Sequence, residues 1–339
     1  MRKLSKSINL AQWSGVFGLF ELMLDRDVKG RHREIAEYAI AHPNEFKEFI
    51  SNLFTGSKNV ESDTKIGVID LADYLPMNLG QLIVEYGIKD SEEVVRTYAV
   101  KAAYRTRVES LNDEIISMLL DRNEAFEVKK WIIHILASSD PAAYAKVLRK
   151  IARNNNEENN IRKEAIFALT NVDDELTVGA LCTLLGDSDN EIRQSGAWAL
   201  SKIGATSSIG CLLAAIEDVD ETVRDWAIRA LRDMDDTRAL QGLADVLKSS
   251  EPDEQIRLIR LLVERRSEII LRAIAERLSS PDVKVRREAA WAMGVTMFTQ
   301  AIPNLQNLVD DDDSQVRDYA KKALMRMGQI DPTDLGLVL

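Results

Sequence analysis

The sequence predicts an all-α protein, a right-handed α-solenoid in which antiparallel helix pairs stack on one another. Three observations predict this fold. A phrase with an acid, a β-branched residue, a basic residue and two small residues returns at intervals of 29 to 33 residues. The residues that follow each basic residue have helical periodicity. Alternating polar and apolar runs, which would indicate strands, are few.

The repeat is anchored on a basic residue that follows valine or isoleucine. This anchor stands at Arg96, Lys129, Arg162, Arg193, Arg224, Arg257, Arg286 and Arg317, with fainter copies at Arg33 and Lys65. We call the helix that carries the anchor helix B and the shorter apolar segment that precedes it helix A. Small residues recur three and six positions after the anchor, on one face of helix B. Because a single pair cannot bury that face, neighbouring pairs must stack.

The ends of helix B are also marked in the sequence. An acid stands four positions before every anchor from Arg96 onward except Lys129, where Ala125 takes its place. An acid at that position is expected to cap the helix or to stabilise its start. Gly204 and Gly328 predict helix ends.

The repeats divide the chain into four stretches of one continuous solenoid. Residues 1–28 predict an N-terminal capping helix, 29–89 degenerate repeats, 90–328 regular repeats and 329–339 a C-terminal tail. Two basic residues and an apolar run at the N-terminus raise the alternative of a signal peptide. Polar interruptions and the lack of a small-residue cleavage site favour the capping helix.

The phrase "(D/E)xx(V/I)RxxAxxAL" resembles HEAT repeats, and its short period resembles the subtype named after phycobilisome lyases. The resemblance implies about nine to ten helix pairs, with helix A on the convex side and helix B on the concave side. It also implies a structural ladder of polar contacts between repeats. The ladder residues are Asp189, Arg193, Asp220, Arg224, Asp282, Arg286, Asp313 and Arg317.

Residues that differ between repeats are the candidates for function. Four of the five tryptophans lie two or five positions after an anchor, and position plus five points away from the buried face. The candidate partner-binding residues are Trp131, Phe167, Trp198, Trp226, Arg229, Arg287, Trp291 and Lys322. Tryptophan and arginine are favoured interface anchors. The alternative for Trp131 and Trp226 is packing on the next repeat.

The repeat at Arg257 departs most from the others. It has Arg260 where a small residue is expected, and it lacks the alanine stripe. One interpretation is a local change in the superhelix angle. The other is a specific contact made by Arg260, Arg265 and Arg266.

Composition limits the possible functions. The net charge of −11 argues against a large nonspecific nucleic-acid surface. Cys182 and Cys211 lie in apolar stretches, which predicts buried free thiols and a cytoplasmic location. No nucleotide-binding, serine-hydrolase or zinc-protease motif occurs, and we predict no cofactor and no metal.

The sequence therefore predicts a non-catalytic scaffold that binds a helix or peptide of a protein partner along the concave helix-B groove, away from any membrane. A phycobilin lyase or isomerase is the enzymatic alternative that the resemblance raises. A nucleic-acid-binding or DNA-glycosylase-type HEAT-like protein is another, which the acidic balance disfavours.

Overall fold

The computed structural model describes residues 28–56, 60–106 and 112–330, which form nineteen α-helices and no strand. The B helices are α1 Val28–Ala41, α3 Ser62–Ile69, α5 Glu93–Thr106, α7 Phe126–Ser139, α9 Asn159–Leu169, α11 Asn190–Ile203, α13 Glu221–Asp233, α15 Pro252–Leu262, α17 Val283–Thr296 and α19 Ser314–Arg326. The A helices are α2 Pro43–Ser51, α4 Met77–Gly87, α6 Asn112–Leu120, α8 Pro141–Ala152, α10 Glu175–Leu184, α12 Ile209–Ala215, α14 Thr237–Ser249, α16 Glu268–Glu276 and α18 Ile302–Asn307. The predicted all-α solenoid is confirmed. The predicted N-terminal helix and C-terminal tail lie almost entirely outside the described residues.

The chain divides into two compact units, Met1–Asn171 and Val172–Leu339. The boundary falls between the pair α8–α9 and the pair α10–α11, so it does not divide a repeat. Within each unit, helix A packs on the helix B that follows it, from the pair α4–α5 onward. Continuity of the solenoid across the boundary stays a prediction. None of the described helices is long and apolar enough to cross a membrane.

The small-residue face of helix B is buried, as the repeat predicts. In α13, the side chains of Val223, Ala227 and Leu231 have no exposed surface. Gly294 in α17 shows why small residues are needed, since a Cβ atom added there would lie 3.0 Å from the Cβ atom of Ala323 in α19. Close packing between these two B helices therefore depends on the missing side chain.

Most of the predicted helix caps are present. The carboxylate of Asp282 accepts hydrogen bonds from the backbone amides of Lys284 and Val285 at 2.8 and 3.1 Å. Gly204 ends α11 with a φ of 67°, in the left-handed region that favours glycine.

Two predicted caps are exceptions: Glu158 makes no side-chain capping hydrogen bond at the start of α9, and Asp253 stands inside helix α15. Pro252 occupies the first turn of this helix, and Glu251 is the residue that precedes it. Proline fits the first helical position because its missing amide proton and fixed φ cost nothing there. Helix α15 thus begins five positions before its anchor, whereas α11, α13, α17 and α19 begin three positions before theirs.

The predicted free thiols are instead a disulfide between Cys182 of α10 and Cys211 of α12. The two cysteines are 29 residues apart, close to one repeat, so they occupy neighbouring sites on successive A helices. Their Cα atoms lie 5.7 Å apart, within the range that a disulfide spans. Both side chains are half-buried. The pair therefore gives no support to the reducing compartment that free thiols would indicate.

Candidate partner-binding surface

Two of the predicted ladder arginines tie one helix pair to the next. Arg193 donates to a backbone carbonyl of its own turn, that of Asp187, at 2.9 Å. Its Nε and Nη2 atoms bind the carboxylate of Asp218, in the turn before α13, at 2.8 and 3.1 Å. The hydrogen bonds that Arg193 donates to Asp218 raise the pKa of the arginine. Arg286 binds Asp311 in the same way, at 2.8 and 3.0 Å.

The acids that pair with these arginines differ from those that the sequence suggested. Asp218 and Asp311 stand six positions before the next anchor, where the turn faces the preceding repeat. The suggested acids at minus four lie at the N-caps, where their carboxylates face the first-turn amides; they are Asp189, Asp220, Asp282 and Asp313.

The other two predicted ladder arginines bind backbone oxygens. Arg224 donates to the carbonyl of Asp218 at 2.8 Å, and Arg317 donates to the carbonyl of Asp311 at 2.6 Å. Asp220 still links neighbouring repeats, because Gln194 Nε2 donates to its carboxylate oxygens at 3.1 and 3.0 Å. The polar contacts between repeats therefore use a wider set of residues than the predicted ladder.

In the first unit, two predicted partner-binding aromatics lie at the surface of B helices. Trp131 of α7 is half-buried, and the Lys101 ammonium of α5 lies 4.0 Å from the centre of its ring. This geometry is a cation–π contact between neighbouring B helices. Phe167 of α9 has 55% of its surface exposed.

In the second unit, the predicted partner-binding aromatics are half-buried. Trp198 of α11 and Trp226 of α13 both have this intermediate exposure. The exposed guanidinium of Arg229 lies 5.9 Å from the centre of the Trp226 ring. Leu262 departs from the expected outward position, since it is fully buried where α15 ends and the chain continues into the 3₁₀ turn Val263–Arg265.

Three of the predicted partner-binding residues line one cavity, which we call the α15–α19 groove. Trp291 and Arg287 of α17 and Lys322 of α19 border a volume of about 710 Å³. Its other lining residues are Arg260 of α15, Glu288 of α17, and Gln315, Asp318 and Tyr319 of α19. The groove thus runs across three successive B helices, on the face that their stacking does not bury.

Charged side chains on the α15–α19 groove hold one another in place. The Arg260 guanidinium binds both oxygens of the buried Glu288 carboxylate, at 2.8 and 2.9 Å. This hydrogen bonding raises the pKa of Arg260. Arg287 donates to the side-chain oxygen of Gln315 on the neighbouring helix. The Lys322 ammonium lies 5.8 Å from the centre of the Tyr319 ring.

The departing repeat contributes to this groove through Arg260. The same repeat places Arg265 3.3 Å from Asp235 and gives Arg266 a φ of 51°. Gln315 and Asp318 are lining residues that sequence reasoning missed. The signal was present, because their positions relative to Arg317 adjoin the outward positions plus two and plus five on a helix.

The groove offers recognition chemistry: aromatic rings, hydrogen-bond donors and charges of both signs. Among the residues that the structure describes, no three His, Cys, Asp or Glu side chains are placed to hold a metal ion. A search of curated protein sequences gives no match.

Family models match the second half of the chain best. A model for HEAT repeats matches residues 145–232 and 271–335, and a model for the PBS lyase HEAT-like repeat matches residues 223–249. This chain is a HEAT-repeat protein. The family predicted from the spacing of the anchors is confirmed, and the matches include the candidate residues Trp198, Trp226 and Trp291.

Solved structures share the fold of this HEAT-repeat protein. Kap121p matches at 16% identity with a TM-score of 0.53, over 95% of this chain and 42% of that chain. Kap95p, from a structure concerned with RanGDP, matches at 13% identity with a TM-score of 0.52, over 96% and 52%. A Kap95:Nup1 complex gives 14% identity, a TM-score of 0.51 and the same coverage. This HEAT-repeat protein spans about half the length of these chains, and at such identities the likeness shows the fold alone.

Proposed function

We propose that this HEAT-repeat protein is a non-catalytic scaffold or adaptor that binds a helix or peptide of a protein partner on its helix-B surface. The observation that carries the proposal is the α15–α19 groove, which brings together Trp291, Arg287 and Lys322. All three stand outside the small-residue positions plus three and plus six that the stacking buries. Clustered tryptophan and arginine in a concave site are typical of the residues that dominate binding energy in protein interfaces.

The dimensions of the groove favour a peptide or a helix as the occupant. A volume of about 710 Å³ is large enough for a few side chains, and it opens across three B helices. Amphipathic helices bind such grooves with side chains spaced by one helical turn. The structures that resemble this protein include a Kap95:Nup1 complex, which shows only that a related solenoid is found with a protein partner.

The test is a selection of peptides from a random display library on the immobilised, full-length protein. Enriched peptides are synthesised, and their affinities are measured by fluorescence anisotropy. We expect Trp291→Ala to weaken binding by about tenfold or more, as truncation of an interface anchor does. Lys322→Ala, at an exposed position, should weaken binding less. Both variants are checked for a native thermal unfolding curve.

The matched control is Leu176→Ala on α10, which removes a large apolar side chain that is 71% exposed but lies on a helix A. Its affinity should equal that of the parent protein. The proposal is lost if the selected peptides bind the folded Trp291→Ala and Lys322→Ala variants as tightly as the parent.

A further inference from the structure

We infer that the α15–α19 groove selects an acidic peptide segment that carries one apolar side chain. This inference rests on the proposed function and names the chemistry of its partner. The lining includes three cations, Arg260, Arg287 and Lys322, and two acids, Glu288 and Asp318. The groove is therefore net positive, although the protein carries 55 acidic and 44 basic residues.

The buried charges inside the groove are already compensated. Glu288 is nearly buried, and both of its oxygens accept hydrogen bonds from Arg260. A cationic partner would find this carboxylate occupied. Only Asp318 then remains on the lining to attract a positive charge.

The two remaining cations are held by neutral groups. Arg287 donates to the amide oxygen of Gln315, and Lys322 lies over the ring of Tyr319. Within the described part of the chain, neither cation has a carboxylate in ion-pairing range. An arginine in this setting retains donors for a carboxylate, which it binds with two parallel hydrogen bonds.

The scarcity of acidic side chains also holds at position plus five of the helices B. Within the second unit, that position holds Trp198, Arg229, the buried Leu262, Trp291 and Lys322, and no carboxylate. A row without acids, in a chain with an acidic excess, favours an approaching acidic segment.

The apolar part of the partner follows from the aromatic rings. Trp291 is half-buried, and Tyr319 retains 37% of its surface exposed. The two rings lie on successive B helices and border the same cavity. An aliphatic or aromatic side chain placed between them would bury surface that now faces water.

The experiment uses three fluorescent peptides with the same central Leu-Phe pair, flanked by Glu and Asp, by Gln and Asn, or by Lys and Arg. Binding to the full-length protein is measured at low and at physiological salt. We expect the acidic peptide to bind about tenfold more tightly than the neutral peptide at low salt, with a smaller advantage at higher salt. The basic peptide should bind most weakly.

The decisive variant is Arg287→Glu with Lys322→Glu, which should invert the order of the acidic and basic peptides. Its control is Lys150→Glu with Lys248→Glu, at exposed positions on α8 and α14, which changes the net charge equally and should leave the order unchanged. The inference is overturned if the control inverts the order too, or if the first variant does not.

Two further outcomes separate this inference from the proposed function. If acidic and neutral peptides bind equally and both lose affinity in Trp291→Ala, the acidic preference is overturned while the proposed function stands. If no peptide binds in a Trp291-dependent manner, and the display selection also yields none, both are overturned.

Discussion

Helix α13 lies close along helix α11 on one side, but it makes little contact with helix α15 on the other. The helices A of these two repeats, α12 and α14, are in contact at this junction. Helices α10 and α12, by contrast, are joined through the disulfide Cys182–Cys211. We call a junction regular when its two B helices pack closely, as α11 and α13 do, and irregular when they make little contact, as α13 and α15 do. Helix α13 therefore takes part in one junction of each kind.

The difference has two causes in the sequence. B helices at regular junctions present small residues at positions plus three and plus six, as α13 does with Ala227 and Ala230. In the next repeat, Arg260 stands at plus three of α15, and Val263, just after the helix, stands at plus six. Arg260 is exposed in the structure, and larger residues such as Leu258 and Ile259 form the buried face of α15. Larger buried side chains keep neighbouring helices farther apart than alanine does. The second cause is Pro252, which moves the start of α15 toward the N-terminus. Glu251, six positions before the anchor, is the cap residue of this helix and is exposed.

The comparison also bears on function. Arg260, which breaks the small-residue stripe, is the side chain that binds Glu288 and borders the α15–α19 groove. The exposed Arg260 thus stands outside the buried stripe of its helix and helps to build the candidate site. Irregular repeats are the expected place for binding sites in solenoids, since the regular residues are committed to stacking.

The largest effect is expected from removing the disulfide of the regular junction. The bridge spans 29 residues, and a cross-link of that length contributes about 3 to 4 kcal/mol through the entropy of the unfolded chain. Replacing both Cys182 and Cys211 by Ser should lower the free energy of unfolding by that amount, as measured by urea denaturation. Reductant should destabilise the parent protein and leave the double variant unchanged. Two titratable thiols in the native protein would contradict the bridge.

A smaller effect is expected from two glycine substitutions that test the close approach of B helices. The change in the free energy of unfolding should have opposite signs at the two positions. Gly294→Ala places a Cβ atom 3.0 Å from the Cβ and 3.1 Å from the Cα atom of Ala323, so we expect a destabilisation of about 1 to 3 kcal/mol. Gly179→Ala, in helix α10 with no atom within 4 Å of the added carbon, should stabilise by about 0.5 to 1 kcal/mol. Equal effects in thermal unfolding would show that α17 and α19 do not need the glycine.

The regular junctions were largely predictable from the sequence, and the irregular one was not. Period, small residues and caps repeat, so positions such as Val223 and Asp282 could be placed without a structure. The partner of Arg193 could not be chosen between two acids two residues apart, because both lie in one turn. Two residues gave conflicting signals for the start of α15. Pro252 favours a start at the proline itself, whereas Asp253 favours a start after the acid, as its cap.

The same contrast holds for the candidate site. Helical spacing predicted that Trp291 and Lys322 share the outward face, but not that they border one cavity. That depends on how far neighbouring B helices turn relative to each other. The disulfide was missed for a related reason: 29 residues of separation matter only once successive A helices are known to lie side by side.

Matched arginine substitutions should separate the two kinds of junction. The junction α17–α19 is regular too, because its B helices lie close together as α11 and α13 do. Arg286→Met removes two hydrogen bonds to Asp311, a nearly buried carboxylate, and should cost about 1 to 3 kcal/mol. Arg224→Met removes hydrogen bonds to backbone carbonyls only and should cost about 1 kcal/mol or less. Urea denaturation of both variants gives the difference. A larger loss for Arg224→Met would mean that the carboxylate pair does not stabilise the regular junction.

The smallest expected effect is a dependence on pH that belongs to the regular junction. The hydrogen bond from Arg286 holds the pKa of Asp311 below its usual value near 4. A lowered pKa in the folded state means that the ionised carboxylate stabilises the fold above about pH 4, and that this contribution is lost as pH falls through the lowered pKa.

The variant Asp311→Asn should therefore be less stable than the parent at pH 7, by about 1 kcal/mol, and the difference should shrink steadily below about pH 4. Glu251→Gln is the matched control at the irregular junction, because Glu251 also stands six positions before an anchor but is exposed. It should change stability at neutral pH by less than about 0.5 kcal/mol. If the Asp311→Asn difference is the same at pH 7 and pH 3, the carboxylate stabilises the turn through its shape and its acceptor atoms. The ion pair with Arg286 would then contribute nothing to the distinction between the two junctions.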